Sequence, residues 1–201
     1  MTGDAAGLGR LARLAGVGAI AGAIIWPMAI VNLAATAVPA AGAAEAPGVK
    51  SSIGPLAIAV LLLSGALVAL EFRAKREIGL WDLIGDLSIG TAAVTLTLAA
   101  ALGASDLIGP GFVLLLAGSI VIGATGLIGT RRPRWASALV GIGAGGLVAC
   151  LLLAGVLGPA ARDGVAQTAL LSVLFYAVGV GWFGVHLVTA RPLNSRPESQ
   201  G

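Results

Sequence analysis

The chain has 201 residues, with twelve Lys and Arg against nine Asp and Glu; 10% of it is charged, 58% is hydrophobic and its mean hydropathy is +1.01. A soluble domain carries roughly 25% charged residues, and a nucleic-acid binder gathers its basic residues on one soluble face. Neither description fits a chain whose basic residues sit in short breaks between apolar runs, whereas a protein that has lipid as its solvent and satisfies its backbone inside helices does fit.

A helix needs about 20 apolar residues to cross the hydrocarbon core, and six runs qualify. The first, 14–38, follows Arg10 and Arg13 and contains Trp26, Pro27 and Asn32. Pro27 removes one backbone donor and predicts a bend, while Gly18 and Gly22 have the spacing that lets two helices approach closely. This run also resembles a signal peptide, with Ala41-Gly42-Ala43 in place for cleavage. A signal h-region is only about 7–15 residues long, so a retained span is expected. The second run, 53–70, is the shortest and leads into Glu71 and the basic break of Arg73, Lys75 and Arg76. The third, 80–102, opens with Asp82 and Asp86 and continues with Thr91, Thr95 and Thr97. The fourth, 111–130, holds Gly118, Gly123 and Gly126, and ends in the basic turn Arg131-Arg132-Pro133-Arg134-Trp135. The fifth, 136–158, carries the spaced pair Gly141 and Gly145 and the single cysteine, Cys150, read as a small packing residue. The sixth, 168–190, contains Tyr176, Trp182 and His186; a polar, flexible tail is expected over 191–201.

These runs are continuous, unlike the alternating ten-residue segments of a β-barrel, and the short breaks make sequential helices antiparallel neighbours. The expected fold is therefore an all-α, polytopic transmembrane bundle of six spans in a single domain. Ten basic residues fall on one side of this topology; Lys50 and Arg162 alone fall on the other. Basic loops stay in the cytoplasm, which predicts a multi-pass plasma-membrane protein with both termini inside. Trp81 and Trp135 stand at that boundary as interfacial anchors, whereas Trp182 is expected to pack in the interior. Arg73, Lys75, Arg76, Arg131, Arg132 and Arg134 are expected at the inner leaflet, where each charge near anionic lipid contributes about 1 kcal/mol.

Ionisable residues within a span are costly and point to function. Asp82 and Asp86, four apart, share one helix face, and by the topology Glu71 and His186 lie at the same depth. The four form the candidate polar cluster, as an interfacial ion-pair group or as a proton-handling one. The acidic pair resembles the metal–diphosphate sites of intramembrane prenyl- and phospho-alcohol transferases, but those need further acidic residues that this chain lacks. Asn32 and the three threonines are expected to bond helix to helix. The sequence has no phosphate-binding Gly-loop, HExxH, GxSxG or CxxC, so no metal, cofactor or enzymatic activity is expected.

The stretches "TGLIGTRRPRWASALVGIGA" and "LFYAVGVGWFGVHLVTARP", with the start "RLARLAGVGAIAGAIIWP", resemble a broad group of bacterial six-helix membrane proteins. In that group a Pro-Arg-Trp turn, here Pro133-Arg134-Trp135, joins two spans. The resemblance implies fold and location but no activity. Three functional classes follow from the sequence: a non-catalytic accessory or structural bundle; a small proton-coupled transporter using Asp82, Asp86 and His186; and an intramembrane lipid-modifying enzyme. Expected partners are the lipid bilayer and a membrane-protein partner or a second copy, with no nucleic acid.

Overall fold

The computed structural model describes residues 3–36, 48–74, 79–129, 132–156 and 162–189. Ala41-Gly42-Ala43, Lys75, Arg76, Arg131 and the tail 191–201 lie outside the described residues. The described chain is all-helical: α1 (Gly3–Thr36), α2 (Gly48–Ala74), α3 (Leu80–Leu102), α4 (Ile108–Ile128), α5 (Arg134–Val156) and α6 (Arg162–Thr189). All six are long and apolar enough to cross a membrane. Several outrun their apolar stretches: α2 begins five residues before 53, and α6 begins six residues before 168. Loop-side polar residues extend these helices because helical geometry still satisfies their backbone groups.

Helix ends follow from local chemistry. Gly103 closes α3 in the left-handed conformation (φ 65°), donating its N–H to the Ala99 carbonyl, a backbone state that glycine alone adopts without steric cost. One 3-10 turn, Ser105–Leu107, leads into α4. Pro133 separates α4 from α5, and its carbonyl accepts the Ser137 N–H at 3.0 Å. Pro27 lies inside α1, which continues through it to Thr36.

Each helix packs on its neighbour in sequence, and α6 returns to pack on α1. The result is a closed ring of six, with odd helices starting and even helices ending at one rim. Large apolar side chains such as Val17, Ile24, Met28, Val68, Leu98 and Val113 are exposed around the outside. In water such a surface would drive aggregation; in lipid it is the solvated face.

Small residues set the spacing of the ring, as expected where apolar burial gives no drive between helices. Gly22 faces α2, where an added Cβ would stand 3.1 Å from the Ala59 carbonyl oxygen, and Gly18 faces Leu62 on the same helix. Gly85 and Gly118 bring α3 onto α4, and Gly123 and Gly141 bring α4 onto α5. Gly145 is not at a contact: a Cβ there meets nothing within 4 Å. Gly143, Gly146 and Gly179 seat α5 on α6; at Gly143 a Cβ would lie 2.6 Å from the Tyr176 nitrogen and 2.7 Å from the Ser172 oxygen. Gly143→Ala is therefore expected to cost about 1–3 kcal/mol through forced separation of two backbones. Gly145→Ala should be neutral or slightly stabilising, since alanine is the better helix former. Thermal unfolding of the two detergent-purified variants checks the contrast; equal melting temperatures would refute it.

Candidate functional site

Four charged residues, Glu71, Asp82, Asp86 and Arg132, converge at the rim where α2 ends and α3 begins. Arg132, in the break between α4 and α5, is turned inward, with its side chain only 2% exposed. Its Nη2 donates to Glu71 Oε1 at 2.8 Å, and to both carboxylate oxygens of Asp86 at 2.8 and 3.0 Å. Its Nη1 lies 3.4 Å from Asp82 Oδ1. One guanidinium thus ties the end of α2, the first two turns of α3 and the α4–α5 break together, and its planar fork suits such convergent carboxylates. Asp82, in the first turn of α3, also meets the positive end of that helix. Nε and Nη1 of Arg132 are buried without hydrogen-bond partners, so the geometry favours charge pairing over full hydrogen-bond satisfaction.

Arg132 therefore departs from its sequence expectation: it is not presented at the surface with its neighbour Arg134, which is exposed. Glu71, Asp82 and Asp86 are brought together, and Arg132 is the residue that sequence reasoning missed as their partner. His186 lies on an exposed part of α6, a helix that packs mainly on α1 and α5 and more lightly on α2. Among the described residues no group of three or more His, Cys, Asp or Glu is arranged to hold a metal ion.

A second, uncharged cluster fills the middle of the ring. Trp26 reaches across from α1 and stacks on Phe112 of α4 (centroids 5.8 Å apart) and tilts against Tyr176 of α6 (5.0 Å). The Tyr176 hydroxyl shares a 2.9 Å hydrogen bond with Ser119. Trp26 Nε1 is buried without a partner. Thr95 and Thr97 do not bridge helices: each hydroxyl donates to a carbonyl four residues back on α3, Thr91 and Ala93 respectively. Backbone oxygen within one turn is the nearest acceptor a helical threonine can reach. Trp182, expected inside, is 54% exposed on the outer face of α6. Cys150 is buried, and Trp81 and Trp135 are exposed at the charged rim, where interfacial tryptophans anchor a helix.

Six helices long and apolar enough to span a membrane, a lipid-facing apolar exterior and charge kept to the helix ends define an integral membrane protein of the polytopic helical class. Comparison with protein-family models, with curated proteins and with solved structures finds no match.

Proposed function

We propose that the protein is a non-catalytic accessory or structural bundle of the plasma membrane, with both termini cytoplasmic and the Arg132 rim at the inner face. The observation that carries this reading is the separation of the charged rim from the rest of the interior. The carboxylates there are gathered on Arg132, and Trp26, Phe112 and Tyr176 pack the centre of the ring beyond them. A transport route needs polar groups continuing through the bundle, whereas Thr95 and Thr97 of α3 bond within their own helix. The ten-to-two distribution of basic residues supports the orientation, and the resemblance to bacterial six-helix proteins supports the location.

One observation favours a second reading, a small proton-coupled transporter: three carboxylates share a single guanidinium, an arrangement that responds to protonation. The double variant Asp82→Asn, Asp86→Asn separates the two, because it leaves Arg132 paired one-to-one with Glu71. A scaffold retains its level in the membrane and whatever co-purifies with it in mild detergent, within about two-fold. Loss of a pH-gradient-driven flux in vesicles, with assembly intact, would overturn the structural reading.

A further inference from the structure

The furthest-reaching feature is a groove of about 410 Å³ on the outer face between α1 and α6. Its floor is made of small residues, Ala23 and Gly181, and its rim of large ones, Ile24, Val178 and Trp182. The groove is open toward the lipid side, and its lining is apolar along its whole length.

The contents of such a groove follow from its shape and from what stands at its end. A partner helix, about 10–12 Å across with its side chains, approaches closely only over small residues, and here the rim is Ile24, Val178 and Trp182. A thin, flexible hydrocarbon chain meets no such obstacle. At the charged rim, α1 and α6 close on each other where Gly16 meets Gly184, which ends the groove. Arg13 lies seven residues before the lining residue Ile20. Seven residues are close to two helical turns, so Arg13 stands over Ile20 on the same face, about 10 Å nearer the membrane surface. It is exposed. Pro27, at the deep end of the groove, lies fourteen residues after Arg13, about 21 Å along the helix, which matches the roughly 20–22 Å depth of one leaflet with its headgroup region.

We infer that the α1–α6 groove is a binding site for one anionic phospholipid, with an acyl chain lying over Ala23 and Gly181 and the phosphate headgroup held by Arg13. The apolar floor selects a lipid, and the arginine selects an anionic one. His186 follows the lining residue Val185 on α6 and is the titratable neighbour on that side; Arg10, one turn before Arg13, is the other exposed basic group on α1.

The test is native mass spectrometry of the full chain in mild detergent, titrated separately with phosphatidylglycerol and phosphatidylcholine. The wild type should hold one phosphatidylglycerol about five-fold more tightly than phosphatidylcholine, the effect of one charge at the surface. Arg13→Gln should remove that preference and leave the weaker binding of both lipids. Gly181→Leu should fill the groove and abolish retention of both; its Cβ has room, with Ala23 Cβ the nearest atom at 3.5 Å. Equal affinity of the wild type for the two lipids would overturn the proposal, as would retention unchanged by Gly181→Leu. A dimer that Gly181→Leu dissociates would assign the groove to a second copy instead and also overturn it. If Gly181→Leu does not fold, the preference lost or kept in Arg13→Gln decides.

Discussion

Arg132→Ala is expected to destabilise the bundle by about 3–5 kcal/mol at neutral pH, the cost of removing one partner from a buried ion group. The variant leaves Glu71, Asp82 and Asp86 close together without the cation that now lies 2.8, 3.4 and 2.8 Å from them. It also unties three elements at once, since the pairs join α2, α3 and the α4–α5 break. Arg132→Lys should recover only part of the loss, because a compact ammonium cannot reproduce the guanidinium fork. Adding Asp86→Asn to Arg132→Ala should recover part of it by another route, by leaving fewer anions uncompensated. The sign of the pH dependence follows: the wild-type advantage requires ionised carboxylates, so it narrows as the pH falls and protons replace the missing cation. Unfolding of the detergent-purified variants across pH measures this. A loss below about 1 kcal/mol at neutral pH, the value of a solvated surface pair, would show that the rim is not a buried ion cluster.

Trp26→Ala is expected to cost on the order of 3 kcal/mol, at the low end for truncating a buried tryptophan. The low end applies because the unfolded reference in a membrane still lies in lipid, so the loss comes from packing and not from exposure to water. The indole is 3% exposed and contacts Phe112 across the ring and Tyr176 on the adjacent α6, so its removal opens a void where three helices face one another. Trp26→Phe should cost less than about 1.5 kcal/mol. It keeps a ring in place and removes the buried Nε1 that has no acceptor, so the lost volume is partly offset. The pair of variants separates volume from polarity; equal melting temperatures for both would show that Trp26 does not fill the core.

Element number and type were legible because lipid imposes a length and a composition on every span, and each helix has an apolar run long enough to register. Lateral placement was less legible. Glu71, Asp82, Asp86 and His186 share a level along the membrane normal, which topology reveals. Which of them touch depends on ring order: α2 and α3 are neighbours, whereas α6 packs mainly on α1 and α5 and more lightly on α2. Arg131, Arg132 and Arg134 look alike in a basic turn, and only the geometry of the break after α4 turns Arg132 inward. The glycine spacing was similarly partial. Gly18 and Gly22 do face α2, but α5 lies between two partners and uses two faces, so Gly141 meets α4 while Gly143 meets α6. A search for one repeated spacing finds one face at most.

The closure of α6 on α1 has a consequence for biogenesis. Helices enter the bilayer in order as the chain is synthesised, and each can pair with its predecessor on arrival. The contact of Gly16 with Gly184 cannot form until the last span has been released, and until then the flank of α1 that α6 covers faces lipid or a chaperone. The final helix thus acts as a latch, and a nascent chain short of it is an open arc with two unpaired flanks, one on α1 and one on α5.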